Sequence, residues 1–260
     1  MNRYSFISHG APTMVLDQER GKEYTEWARS SKGADLVLVI SAHWETERIS
    51  LGTAQPGELI YDFYGFPEEL YRIQYRAPGA PDARNSLYSF LTDSGHSVDL
   101  TDRGWDHGVW TPLYWLFPDA SVPVLQISIP ACSTAELFSL GQNLARWMQT
   151  HNRVWLIGSG GLTHNLRAID FSGSMPVPEP MQEFQDFIKN CLENQDYDSI
   201  QKYREAAPHA SINHPSPEHF LPLIVVAGAA SEAGMNRPVY VLDGFEFGSL
   251  SKVAIDFRPN

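Results

Sequence analysis

Histidine is the residue type in this chain whose positions point most directly to chemistry. The 260 residues include nine histidines. Three of them, His9, His43 and His164, come at or just past the end of a short apolar run. Imidazole nitrogens bind transition metals and carry protons near neutral pH. One histidine beside an apolar strand is more often a hydrogen-bonded core residue, but three at equivalent positions favour one shared metal site.

His219 supplies a fourth candidate ligand. The segment Ser216-Pro217-Glu218-His219 precedes an apolar stretch over residues 220–230 and is typical of a helix start, with Ser216 as N-cap and Pro217 at the first position. His219 would then lie in the first helical turn. There the helix dipole disfavours imidazolium and leaves a neutral ring that can bind a metal. Without the other three histidines, a loop residue would be the simpler interpretation.

The setting of His107 fits either an aromatic substrate pocket or a packed surface loop. Its neighbours are Trp105, Asp106 and Trp110. Asp106 either positions the imidazole or caps a helix that begins near Pro112. Of the other histidines, His96, His151 and His209 are interpreted as surface residues. His214 is left open because it lies only five residues from His219.

The apolar pattern predicts alternating strands and helices around these histidines. Short runs typical of strands buried on both faces cover residues 4–8, 36–42, 48–52, 122–128, 154–159, 239–242 and 252–257. Helical spacing covers residues 81–91, 137–148, 181–192 and 220–230. We therefore expect a single α/β domain over residues 1–260, with a largely parallel central sheet and helices on both faces. Ligands bind at the carboxyl ends of such strands, so His9, His43 and His164 would face one crevice.

Composition and motifs exclude several other classes of protein. Nineteen Lys and Arg stand against 31 Asp and Glu, a net charge of −12 that disfavours nucleic acid and anionic membranes as partners. No signal peptide or spanning segment is evident, so we expect a cytoplasmic protein. The two cysteines, Cys132 and Cys191, cannot build a disulfide framework or a cysteine-based zinc site. The sequence contains no Gly-x-Ser-x-Gly elbow, P-loop or His-Glu-x-x-His motif, and the glycines at 158–161 do not match a dinucleotide fingerprint.

Taken together and in order, six motifs resemble class III extradiol ring-cleavage dioxygenases, most closely the DOPA 4,5-dioxygenase type. The resemblance spans roughly residues 5–250. The motifs are Ser8-His9-Gly10-Ala11-Pro12, Ser41-Ala42-His43-Trp44, Tyr61-Asp62-Phe63-Tyr64-Gly65-Phe66-Pro67, Asp106-His107-Gly108, Thr163-His164-Asn165-Leu166 and Pro215-Ser216-Pro217-Glu218-His219. Each motif alone is weak, but the ordered set is specific.

The resemblance implies an enzyme that opens a small, DOPA-like catechol beside its hydroxyls, using O₂ and non-haem Fe(II). It implies His9, His43 and His219 as metal ligands. His164 matches the acid/base histidine and could itself touch the metal, and Glu218 leaves a carboxylate ligand open. His107 matches a catalytic histidine near the substrate hydroxyls. An all-histidine set departs from the two-His-one-carboxylate pattern and favours Zn(II) as the metal bound on purification.

Aromatic side chains near these motifs are candidates for the substrate-binding wall, namely Trp44, Phe66, Trp105 and Trp110. Since aromatic residues make up 12% of the chain, some of the four belong to the core. Two rivals to the dioxygenase hypothesis remain: a zinc hydrolase that activates water, and a non-catalytic binding protein on the same fold. The oligomeric state is left open.

Overall fold

A mixed sheet of eight strands, with four parallel strands at its centre, forms the middle layer of the protein. The computed structural model describes residues 1–30, 33–172 and 175–260. The strands are β1 (Arg3–Ser8), β2 (Leu36–Thr46), β3 (Ile49–Leu51), β4 (Val98–Leu100), β5 (Val124–Pro130), β6 (Val154–Gly160), β7 (Arg237–Leu242), β8 (Phe245–Glu246), β9 (Leu250–Ser251) and β10 (Ala254–Arg258). The sheet order is β4-β3-β5-β2-β6-β1-β10-β7, and β8 and β9 form a separate ribbon.

The central strands β5, β2, β6 and β1 are parallel to one another, whereas β10 and β7 add antiparallel strands at one edge. Every residue of β5 and of β6 is buried, as expected for parallel strands that are covered on both faces. At the other edge β3 runs antiparallel to β5 and pairs in parallel with β4. The carboxyl ends of β2, β6 and β1 therefore lie side by side.

Helices cover both faces of the sheet. They are α1 (Gln18–Ser30), α2 (Pro81–Asp93), α3 (His107–Leu116), α4 (Thr134–Gln149), α5 (Glu179–Glu193), α6 (Tyr197–Gln201), α7 (Tyr203–Ala206), α8 (Ala210–Asn213) and α9 (Leu221–Glu232). Helices α4, α5 and α9 contribute to the apolar core on one face, and α1 and α3 to the core on the other. The predicted α/β domain with a largely parallel sheet is confirmed.

Two helix starts differ from the prediction, and both differences concern the candidate site. Helix α3 begins at His107 and contains Pro112 in its interior, whereas the sequence placed the start near that proline. Helix α9 begins at Leu221 with Phe220 as N-cap. Ser216 is therefore not the cap, and His219 lies in the turn before the helix instead of in its first turn.

No helix among the described residues is long and apolar enough to cross a membrane.

Candidate metal centre

Three of the predicted histidines lie at the carboxyl ends of neighbouring parallel strands. His9 directly follows β1, and His164 follows β6, which pairs with β1 and β2. His43 lies within β2, in a segment where the register with β5 shifts between Ile40 and Glu45. This irregularity turns the end of β2 away from a regular ladder. The structure thus brings together side chains that are far apart in sequence.

The ring nitrogens of His9 and His43 are close enough to share one ion. Their Nε2 atoms are 3.1 Å apart. Two nitrogens that each lie about 2.1 Å from one metal are separated by roughly 3.0–3.4 Å for bond angles between a right angle and a tetrahedral angle. One nitrogen from each of His9, His43 and His219 lies within 4.8 Å of the others. These three donors fit a single transition-metal ion.

His219 carries an unpaired nitrogen in this centre. Its Nδ1 bonds to Oε1 of Glu218 at 2.9 Å, whereas its buried Nε2 has no hydrogen-bond partner. A buried polar atom without a partner costs stability unless a ligand satisfies it. The carboxylate of Glu218 lies on the Nδ1 side, where it orients the ring. The arrangement resembles the carboxylate–histidine pairs that orient metal ligands.

The ring of His9 is held by a hydrogen-bond relay that begins at a proline. Pro112 has no N–H, so the carbonyl of Gly108, four residues earlier in α3, lacks its usual helical donor. The hydroxyl of Ser159 donates to that carbonyl instead. Ser159 Oγ lies 2.9 Å from His9 Nδ1, and its only proton is already used, so it accepts the proton of Nδ1. The Nε2 of His9 is left with a free lone pair.

A tight turn after β1 fixes where His9 points. Gly10 has a φ of +64°, and a Cβ at this position would come within 1.7 Å of Oε1 of Glu246. The same carboxylate accepts the Ala11 N–H and pairs with Arg20 at 3.0 Å. Arg20 in turn donates to the carbonyl of Ser8. Only glycine satisfies both the backbone angle and the close approach.

Asp62 joins two histidines and was not singled out in the sequence. Its Oδ1 lies 2.8 Å from His107 Nδ1 and accepts the His107 backbone N–H, and its Oδ2 lies 3.3 Å from His43 Nδ1. Although burial acts to raise the pKa of this carboxyl, the hydrogen bond from His107 and the electrostatic attraction of the His107 and His43 rings lower it to about 2. An ionised Asp62 therefore accepts from both rings and leaves both Nε2 atoms free.

Burial keeps four of these histidines neutral at physiological pH. Burial, reinforced by the neighbouring imidazoles, holds the pKa of His9 and of His219 well below the usual value. Burial also lowers the pKa of His43 to about 4 and that of His164 to about 4. In the sequence the helix dipole was expected to keep His219 neutral, but burial does so. Neutral imidazole is the form that binds metal.

His164 stands beside the three candidate ligands. Its ring stacks on that of His219, with centroids 3.4 Å apart and planes inclined by 6°. The ring of His107 contacts that of His43, with centroids 4.0 Å apart. Five of the nine histidines therefore form one cluster.

All five histidines of the cluster line a pocket of about 380 Å³. Of the aromatic residues considered for the substrate-binding wall, Phe66 lines this pocket. Here the structure departs from the sequence prediction for Trp44 and Trp105, which do not line it. Trp105 is fully buried and packs near Tyr75, and Trp44 is buried beside the guanidinium of Arg103.

Neither role predicted for Asp106 is observed. It stands at the N-cap position of α3 but makes no capping bond with its side chain. Its carboxylate instead accepts from Ser41 Oγ and Gln126 Nε2, both at 2.6 Å. Ser41 Oγ also accepts the backbone N–H of His43 at 3.2 Å. Asp106 therefore supports the irregular end of β2, and Asp62 positions His107.

The remaining histidines lie outside the cluster. His96 and His151 are partly buried at the periphery and His209 is exposed beside Glu183. His214 is fully buried, and its Nε2 bonds to the carbonyl of Leu162 at 2.9 Å. Burial lowers the pKa of His214 to about 4.

Comparison with known proteins agrees with this geometry. Residues 4–252 match the family described as the catalytic LigB subunit of aromatic ring-opening dioxygenase. The 4,5-DOPA dioxygenase extradiol of Beta vulgaris is 39% identical over 238 residues, which cover 87% of this chain and 86% of the relative. The protein of the same name from Escherichia coli K12 is 31% identical over 255 residues, covering 96% and 92%.

A solved structure shares the fold. The crystal structure of the uncharacterized protein JW3007 from Escherichia coli K12 matches with a TM-score of 0.82 and 27% identity, covering 98% of this chain and 99% of that one. The chain therefore belongs to the LigB family of aromatic ring-opening dioxygenases and is a ring-cleaving enzyme.

Proposed function

We propose that the protein opens the ring of a small catechol by extradiol cleavage with O₂, at a mononuclear Fe(II) held by His9, His43 and His219. The observation that carries the proposal is the common orientation of these rings. Each has its Nδ1 beside a protein acceptor, and the Nε2 atoms of His9 and His43 lie 3.1 Å apart. The names of the relatives, 4,5-DOPA dioxygenase extradiol, support a DOPA-like catechol as the substrate class.

Three protein ligands would leave coordination positions of the metal open for substrate. When bound, Fe(II) supplies a redox centre with open positions for a catechol and O₂. Neutral histidines add no negative charge to the site, so a catechol hydroxyl beside the metal loses its proton more readily. Because the same neutral donors suit Zn(II), we propose that zinc can occupy the site on purification without supporting the oxidation.

His164 is proposed as the group that takes and returns a proton of the substrate. Its lowered pKa, about 4, keeps the ring unprotonated at neutral pH, so that it can accept a proton. This pKa lies below the near-neutral value that the sequence suggested. The stacking on His219 fixes the ring next to the proposed ligand. Here His164 acts beside the metal.

His107 is proposed to bind a ring oxygen of the catechol. The Asp62 carboxylate accepts from its Nδ1, which leaves Nε2 as the atom available to substrate. Phe63 packs edge-on against the imidazole, with centroids 5.6 Å apart. Phe66 is retained as a substrate contact because it lines the pocket. The proposed contacts of Trp44 and Trp105 with substrate find no such support.

The proposed partners are small molecules only. A net charge of −12 disfavours nucleic acid. The cytoplasmic location stays a prediction from the sequence.

Anaerobic loading with Fe(II), followed by a catechol and then O₂, tests the function. We expect O₂ consumption and a yellow ring-opened product in equal amounts, and neither with Zn(II)-loaded protein. His43→Ala should lose both metal and turnover. His209→Ala, which removes an exposed histidine outside the cluster, is the matched control and should keep both. Full Fe(II) occupancy without O₂ uptake on any catechol would overturn the proposal.

A further inference from the structure

The lining of the pocket combines the polar histidine cluster with mainly apolar side chains. Apart from Asp62 and the five clustered histidines, the side chains that face it are mainly hydrocarbon or aromatic. The larger of these, which we call the apolar wall, are Phe63, Tyr64, Phe66, Leu166, Ile169, Phe171 and Leu250. Since the histidines and Asp62 are the polar part of this lining, a ring substituent of a catechol whose hydroxyls meet the histidines has mainly apolar side chains to contact.

Three side chains of the apolar wall are largely exposed to solvent, and a bound ligand could bury part of their apolar surface. Tyr64 is 90% exposed, Phe171 is 67% exposed and Leu166 is 63% exposed. Phe171 is held in place by Phe247, whose ring centroid lies 5.3 Å away. Exposed apolar side chains gathered around a pocket mark a binding surface, whereas scattered ones need no explanation.

The described lining residues include neither lysine nor arginine. Two arginines bond to the backbone beside His9 and at His43, and both are already paired. Arg20 is buried, pairs with Glu246 and donates to the carbonyl of Ser8. Arg103 donates to the carbonyl of His43 and lies 3.4 Å from Asp106. Arg167, next to Leu166, is exposed and does not line the pocket.

Apart from the proposed metal ion, which the two hydroxyls of the catechol would face, a carboxylate on the substrate would find no opposite charge among the described lining residues. The charged side chain in the lining is the ionised Asp62, which repels an anion, and the chain as a whole carries −12. An alkyl substituent, in contrast, would cover exposed Phe171 and Leu166 and gain from their burial.

From this distribution we propose that the preferred substrate is a catechol with an uncharged, apolar substituent on its ring, rather than one with a carboxylate or amino acid side chain. The inference rests on the proposed cleavage of a small catechol, and within that class it departs from the DOPA-like substrate that the names of the relatives support. It assigns Phe171 and Leu166 as residues that determine specificity.

A matched set of catechols tests the proposal. 4-Propylcatechol and 3-(3,4-dihydroxyphenyl)propionate share a ring and a similar chain length but differ in charge, and DOPA adds the ammonium group. We expect kcat/KM for 4-propylcatechol to exceed that for each of the other two by about 10-fold or more, which corresponds to about 1.4 kcal/mol. Equal or faster turnover of the propionate or of DOPA would overturn the inference while leaving the proposed function intact.

Binding measurements on protein that does not turn over test the inferred ligand preference separately from the proposed dioxygenase activity. Calorimetric titration of Zn(II)-loaded protein with the same compounds should rank them in the same order. If no catechol is cleaved but the apolar compound binds at least 10-fold more tightly, the proposed function fails and the inferred ligand preference stands. If the compounds bind equally, the preference is wrong.

Charge placed at the apolar wall should change the ranking. Phe171→Arg should raise the ratio of propionate to propylcatechol binding by about 10-fold, because it supplies the missing cation. Leu100→Arg adds the same charge at an exposed position on β4, outside the pocket lining, and should leave the ratio as in the unaltered chain. Arg167→Ala should also leave the ratio unchanged; a fall in propionate binding there would show that Arg167 binds the carboxylate and would overturn the inference.

Discussion

Replacing Asp62 by Asn tests the proposed centre at the residue that joins two of its histidines. The carboxylate receives three donors: the Nδ1 and backbone N–H of His107 on Oδ1, and the Nδ1 of His43 near Oδ2. An asparagine of the same size has only one acceptor oxygen, and its NH₂ group donates. If the oxygen stays with the two donors of His107, the NH₂ faces the Nδ1–H of His43. The ring of His43 must then rotate or change tautomer.

The cost of this mismatch follows from two independent magnitudes. A hydrogen bond to a charged group contributes about 1.5–3 kcal/mol. Loss of a residue that orients a metal ligand lowers metal affinity by about 10- to 100-fold, which is about 1.4–2.8 kcal/mol. Because the pKa of Asp62 is about 2, the native carboxylate is ionised throughout the neutral range. We therefore expect Asp62→Asn to weaken Zn(II) binding by about 10- to 100-fold at pH 7.5.

Competition with a chromophoric chelator measures the affinity, and circular dichroism verifies that the variant is folded. Asp198→Asn is the matched control, since it removes one charge from an exposed i,i+4 pair with Lys202 and should leave the affinity unchanged. If folded Asp62→Asn binds Zn(II) within twofold of the unaltered chain, Asp62 does not orient His43 and the reasoning fails.

Four further outcomes are expected. Ser159→Ala should lower Zn(II) affinity by about 10-fold because His9 Nδ1 loses its acceptor. Ser128 is an equally buried serine that is bonded to Thr46 and Ser50, and Ser128→Ala should leave the affinity unchanged; equal affinities in both variants would contradict the relay. His164→Ala should retain Fe(II) and lose about 10²–10⁴-fold in turnover, and loss of the metal would make it a ligand. His107→Phe should lower kcat/KM by about 10-fold or more with metal content unchanged; unaltered kinetics would place it outside the reaction. In the metal-free protein, unfolded histidines bind protons below pH 6.5, whereas His43 and His164 in the folded protein do so only near pH 4. The free energy of unfolding, measured with urea, should therefore fall by about 2 kcal/mol for each of these two histidines between pH 7 and pH 5. A free energy of unfolding that stays constant over this range would refute the lowered pKa values.

The placement of the histidines could be predicted because it depends on local pattern. His9 and His164 follow short buried runs, and parallel strands bring their carboxyl ends to one edge of the sheet. His219 was found from the segment before an apolar helix, although the helix begins at Leu221 instead of 220. Periodicity identifies such elements well and their first residues less well.

The residues that orient the rings could not be found in this way. Asp62 lies in a loop of aromatic residues, and Ser159 lies inside a buried strand, so neither carries a local signal of its partner. Their bonds to His43, His107 and His9 arise only when α3, β1, β2 and β6 pack together. The signal that the sequence did offer was a short polar side chain in an otherwise aromatic segment, for Asp62, or in an otherwise apolar strand, for Ser159. Trp105 was a candidate for the substrate-binding wall but is fully buried. A large aromatic residue next to a histidine in the sequence can belong to the core as readily as to a pocket.

A chain of hydrogen bonds connects the proline inside α3 to His9 of the candidate metal centre. Pro112 cannot donate to Gly108, the carbonyl of Gly108 takes the proton of Ser159, and the oxygen of Ser159 can then only accept from His9. A helix with an N–H at position 112 would satisfy that carbonyl itself. Ser159 could then donate to His9 and hold the wrong tautomer. The irregularity in α3 therefore selects which nitrogen of His9 carries the proton, and leaves the Nε2 that faces His43 with a free lone pair. The ligand set thus depends on helix packing as well as on the histidines themselves.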